Sequence, residues 1–204
     1  MKYAHTRAMH NLEKGCFETA GPYEIPIIAP EMYKPLEFID FNRAVSEKKR
    51  EGRAVHFFIH DYRFERIWTN LRRYGEMLMS YEASMSPDFS LYADWPTAVQ
   101  IWNHYRKHYV GAYLQSLGIK VYPTICWSDE HSFDWCFDGE PVGGCVAVSS
   151  VGTRATADSK RLFCLGYDAM LERLKPETII FYGDVPGECR GKIVQVPAFQ
   201  TKFR

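Results

Sequence analysis

What most constrains this chain is one pattern that recurs along it: a short apolar run, rich in β-branched and aromatic residues, that stops abruptly in small polar or charged ones. Its clearest copy is Cys145-Val146-Ala147-Val148, entered through Gly143 and Gly144 and left through Ser149, Ser150, Val151, Gly152, Thr153 and Arg154. Residues 54–59 run in the same way into His60 and Asp61, residues 121–126 into Trp127, Ser128 and Asp129, and residues 178–182 into Gly183 and Asp184. Apolar runs of this length without polar alternation suit strands buried on both faces, as in a parallel sheet. Parallel strands bring their C-terminal ends to one rim, where α/β folds place their chemistry.

Helical periodicity fills the intervals. Ile67, Leu71, Tyr74, Leu78 and Tyr81 recur at three- and four-residue spacing, as do Phe163, Tyr167, Met170, Leu171 and Leu174 in a segment capped by Thr156 or Asp158 and stopped by Pro176. Between them, Val99, Trp102, Tyr105, Tyr109 and Tyr113 predict a helix opened by Asp94 and Pro96, closed by Gly118 and buried along that aromatic stripe. Shorter strands are expected at residues 36–41, 86–92 and 192–196, and a short charged helix over residues 43–51 after an Asn42 cap. Residues 132–144 leave room for only a turn or two of helix, short for a parallel crossover. Residues 1–35 are interrupted by Gly15, Gly21, Pro22, Pro26, Pro30 and Pro35 and predict an irregular arm with at most one short strand at 25–29. The remainder, 36–204, is expected to form one α/β domain with a mainly parallel sheet, as a small or incomplete (β/α) barrel. An open doubly wound sheet is the alternative.

Composition narrows the function. Twenty-five basic residues balance twenty-five acidic ones, so no global field favours bulk binding to nucleic acid or an anionic membrane. No apolar run approaches a membrane span, and the first residues lack the apolar stretch of a secretory signal. Six cysteines, at 16, 126, 136, 145, 164 and 189, form no Cys-x-x-Cys pair, and those inside apolar runs behave as small hydrophobes. A protein of a reducing cytoplasm is expected.

Several of these segments resemble, in order, one family. They are residues 57–68 (from Phe57-Phe58-Ile59-His60-Asp61 to Trp68), Ser86-Pro87-Asp88-Phe89-Ser90-Leu91-Tyr92, residues 118–127 with Pro123, residues 147–152, and Tyr182-Gly183. Over about residues 36–185 the chain is similar to DUF4417 proteins of bacteria, archaea, phages and other mobile elements. The resemblance implies a phage, prophage or mobile-element setting, in which small proteins often engage host machinery; it carries no catalytic assignment.

Candidate chemistry centres on strand-end carboxylates, Asp61, Asp88, Asp129 and Asp184, because two carboxylates around one cleft can divide acid and base work between them. Such a set could cleave a glycosidic bond, including the nucleoside kind; aspartates at strand ends also serve as plain caps and turn formers. His60 beside Asp61 reads as a base with its orienter or as a histidine at a loop start. Ser149, Ser150, Gly152, Thr153 and Arg154 offer hydroxyls, backbone amides and a guanidinium to a phosphate, or simply connect strand to helix. Trp127 could stack on a base or roof the core; Ser128 and Asp129 share its loop. No metal is assigned: Cys126, His131, Cys136 and Cys145 lack zinc spacing, and His104 and His108, one turn apart, read most simply as a solvated face. No cofactor follows. Two functions stay open, an enzyme acting on a nucleotide or nucleic-acid-derived substrate and a non-catalytic protein engaging a host or replication factor.

Overall fold

A computed structural model describes residues 17–153 and 156–198. A small antiparallel hairpin, β1 (Thr19–Ala20) and β2 (Ile25–Pro26), stands where at most one short strand was expected, and precedes seven strands that all run parallel to their neighbours. β3 (Glu37–Asp40), β4 (Arg53–His56), β5 (Ala83–Met85) and β6 (Val121–Tyr122) form one sheet in that order. β7 (Cys145–Ser149), β8 (Thr178–Tyr182) and β9 (Ile193–Val196) form another. A parallel bridge between Thr124 and Ala147 joins them, with Ile125 N donating to Ala147 O and Ala147 N to Pro123 O, both at 2.8 Å. The strands therefore follow one another in chain order with no reversal, whereas a doubly wound sheet needs one.

The sheet also curls. Although β4 and β8 lie four places apart, the His56 and Tyr182 rings meet at 4.9 Å between centroids, and Phe58 stacks on Tyr182 at 5.0 Å. The result is the incomplete barrel of the expectation: among the described residues β3 and β9 remain edges, and a groove of about 530 Å³ opens between them.

Five helices of the described residues surround the strands: α1 (Phe41–Ala44), α2 (Arg66–Thr69), α3 (Leu71–Leu78), α4 (Thr97–Ser116) and α5 (Ala157–Leu174). Ile67, Leu71, Tyr74, Leu78 and Tyr81 are buried as their spacing predicts, and Thr156 opens α5 through a capping box with Ser159. α1 is shorter than expected and is capped by Asp40, whose side chain accepts from Arg43 N, not by Asn42.

Further expectations fail for physical reasons. The strand expected at residues 86–92 lies at Ala83–Met85, because Ser86 Oγ replaces a ladder acceptor by receiving Thr124 N at 2.9 Å, and Pro87 has no N–H to continue. In α4 the aromatic stripe is buried only in part. Tyr109 is buried as expected and Tyr105 and Tyr113 are half-buried against the core, but Val99 and Trp102 are exposed, while Gln100, Asn103, His104, Lys107 and His108 are buried. Their spacing of three and four residues marks one helix face. The reading of His104 and His108 as a solvated face is overturned by their exposures of 1% and 0%.

Candidate active site

The polar face of α4 meets the C-terminal ends of β4 to β6. Asp61, in a 3-10 turn after β4, accepts from Ser90 twice, Oδ2 from the backbone N–H at 3.0 Å and Oδ1 from the hydroxyl at 2.8 Å. Ser90 O accepts from Asn103 Nδ2 at 2.8 Å, and Asn103 Oδ1 from Arg106 Nη2 at 2.6 Å. Arg106 closes this chain on Glu65 at 2.5 Å and lies 3.9 Å from the centre of the Phe89 ring. Asp61 is thus fixed by a network reaching two turns of α4.

Asp88 stands beside it on different terms. Its side chain is half-buried and makes no hydrogen bond among the described residues. Burial first, and then the charge of Asp61, push its carboxyl up to about 7, against the opposing pull of Lys107. A carboxylic acid that holds its proton near neutrality can donate it. Cys126, which faces the same charges, has its thiol pushed up to about 12 by burial and is a proton-bearing thiol rather than a nucleophile.

Behind the carboxylates lies a buried charged core. Lys107 Nζ, fully buried, donates to Thr124 O at 2.9 Å and to Glu140 Oε1 at 2.5 Å. His108 Nε2 lies 3.0 Å from the same oxygen, and its Nδ1 lies 2.9 Å from Pro26 O in β2. Burial alone would raise Glu140 and lower Lys107; each outweighs that for the other, so the pair is ionised. His108 is shifted down, by burial first. Gly139, at φ +75°, permits the closeness: an added Cβ would lie 2.6 Å from Pro26 O and 2.9 Å from His108 Nδ1.

The family model described as a domain of unknown function, DUF4417, matches residues 17–200. The chain belongs to the DUF4417 family. It is 40% identical to the Gene 1 protein of Mycobacterium phage L5 over 83% of this chain and 75% of that protein. It is 41% identical to the Gene 1 protein of Mycobacterium phage D29 over 82% of this chain and 63% of that one. No solved structure matches it.

In this DUF4417 chain the residues singled out from sequence scatter in role. Asp61 and Asp88 come together. His60 is exposed and stacks on Tyr62, with ring centroids 5.8 Å apart. Asp184 is exposed, and its backbone oxygen accepts from Ser150 Oγ at 2.7 Å. The turn after β7 uses its hydroxyls internally: Ser149 Oγ accepts from Val151 N and Thr153 Oγ1 donates to Ser150 O, while Gly152 takes φ +83°. Arg154 lies outside the described residues. Trp127 packs against Gly166 of α5 and 5.5 Å from the Phe163 ring. Ser128 donates to Gln100 Oε1 at 2.6 Å, and Asp129 caps the 3-10 turn of residues 130–134 through Ser132 N. Lys107, Glu140 and Asn103 belong to no motif in the sequence, yet they are buried beside these carboxylates or in the core behind them. The signal was present in Asn103, Lys107 and His108, a polar set at helical spacing beside the aromatic one.

Proposed function

We propose that this protein is an acid–base enzyme whose proton donor is Asp88 and whose anchored carboxylate is Asp61. The observation that carries the reading is the pairing itself: one carboxyl group is held by two hydrogen bonds from Ser90, while its neighbour has none and is raised to about 7. Two carboxyl groups in unlike surroundings divide into a charged partner and a proton donor. The chemistry that suits them is cleavage of a glycosidic bond in a nucleotide or nucleic-acid-derived substrate. As the bond between sugar and base breaks, Asp88 gives its proton to the departing base and the Asp61 carboxylate stabilises the positive charge that develops on the sugar; water then adds to the anomeric carbon and its surplus proton returns to Asp88. The phosphate would rest on the backbone of the turn at residues 149–153, whose hydroxyls are already engaged. His60 and Asp184 have no role in this reading.

The test is incubation of the purified protein with ribonucleotides, deoxynucleotides and single- and double-stranded DNA, followed by chromatography for free base. Wild-type protein is expected to release base from one of these, and Asp88→Asn to reduce the rate by about 10²–10⁴. No release from any class would overturn the proposal.

A non-catalytic role in binding a host or replication protein has its own supporting observation, the groove between β3 and β9. Its walls are two strands paired, among the described residues, on one side only, an arrangement that accepts an added strand.

A further inference from the structure

The buried core behind the carboxylates has too many acceptors for its donors. His104 Nε2 lies 3.0 Å from Asp138 O, so that nitrogen carries the ring proton and Nδ1 presents a lone pair; Nδ1 is buried and has no partner among the described residues. His108 is in a comparable position. With its proton on Nδ1, given to Pro26 O, the Nε2 lone pair faces Glu140 Oε1 at 3.0 Å; with the proton on Nε2, the conflict moves to Pro26 O. Glu140 Oε2 and Asp138 Oδ2 are likewise buried without a donor. Lys107 satisfies one oxygen of Glu140 and no other of these atoms. Buried acceptors left without donors are costly, and in native proteins an ion or water commonly accounts for them.

We propose that His104, His108 and Glu140 bind one divalent transition-metal ion of the zinc class. One ligand atom from each lies within 4.8 Å of the others, and all three residues are buried. Two imidazoles one helical turn apart with one carboxylate form the donor set that such ions prefer over magnesium or calcium. Each imidazole points its second nitrogen at a backbone carbonyl, the outer contact that fixes tautomer and orientation in metal-bound histidines. Because the three residues are closed to solvent, the ion is structural. It ties α4 to the contracted connection between β6 and β7, while His108 holds the β1–β2 hairpin through Pro26. This explains how a connection with only a short 3-10 turn is held against the sheet.

The test uses the full chain stripped of metal with a chelator and dialysed. Titration with Zn²⁺, and separately with Co²⁺, is expected to bind one ion per chain and raise the melting temperature; Co²⁺ should develop the visible absorption of a low-coordinate site. His104→Gln and Glu140→Gln, each checked for folding by circular dichroism, are expected to weaken binding on the order of a hundredfold. X-ray absorption of the wild-type protein loaded with zinc should show nitrogen and oxygen neighbours without sulfur, a result independent of any variant. Failure of the wild-type chain to bind either ion stoichiometrically would overturn the proposal. So would undiminished binding in a folded His104→Gln protein, or sulfur in the coordination shell.

Discussion

Asp88 is withdrawn from water and faces a second carboxylate, and both conditions act against its ionised form. The sign of the consequence is fixed by linkage. A carboxyl group whose value rises from about 4 unfolded to about 7 folded binds its proton more tightly in the native state. Its contribution to stability is complete below about pH 4 and is lost as pH rises toward about 7. The full shift corresponds to about 4 kcal/mol; partial exposure of Asp88 reduces this to about 2 kcal/mol. Asp88→Asn is therefore expected to flatten the fall in melting temperature between about pH 4 and 7 and to melt several degrees higher than wild type at pH 8. Parallel melting curves across that range would remove Asp88 from the list of neutral acids. A gain in stability with loss of turnover is the mark of a residue kept for chemistry.

Among the elements, α4 departs furthest from its own sequence pattern. Its aromatic residues at positions 102, 105 and 113 are exposed or half-exposed, with Trp102 and Tyr105 stacked on each other 5.9 Å apart, and its charged face is inward. Lys107 is buried only because Glu140 arrives from a connection thirty-three residues away. In chelator-treated, metal-free protein, Lys107→Met should leave that carboxylate without its cation and cost about 3–5 kcal/mol in urea unfolding. Replacing both, Lys107→Met with Glu140→Leu, is expected to recover much of the loss in the same metal-free protein; equal destabilisation of single and double variants would contradict the pairing. α5 shows a different dependence. An added Cβ at Gly166 would lie 2.2 Å from the rigid Trp127 indole, whereas one at Gly111 meets the end of the flexible Ile28 side chain, Cδ1 at 2.5 Å and Cγ1 at 3.0 Å. Gly166→Ala is thus expected to destabilise by about 1–3 kcal/mol and Gly111→Ala by less, although both gain helix propensity. The strands β7 and β8 and the stripe of α5 were legible because burial on both faces or on one stripe writes itself into local spacing. The α4 face was not legible, since a tertiary partner for Lys107 leaves no trace within a window of the helix. The same applies to β5: residues 86–92 carry strand-like composition, but Ser86 and Thr124 spend their side chains on the backbone instead.

At the scale of the molecule, the parallel direction of β3 to β9 sets everything else. It gathers the strand exits on one rim, and chain order without reversal curls the sheet until β4 touches β8. The rim was foreseeable from the repeated run-and-stop pattern; which of its polar residues converge was not, because that depends on how far the sheet curls and on the unpredicted Glu140. Closure stops short of β9 meeting β3, and the groove there receives His56, lowered to about 4 by burial. None of the described helices is long and apolar enough to cross a membrane. The proposed chemistry requires the rim to hold one neutral carboxylic acid next to one anchored carboxylate. The most direct measurement is a carbon-13 NMR titration of the Asp88 side-chain carboxyl in the folded protein. A midpoint close to 7 that falls when Asp61 is replaced by asparagine is expected; a midpoint near 4, unmoved by that replacement, would rule the acid–base pair out.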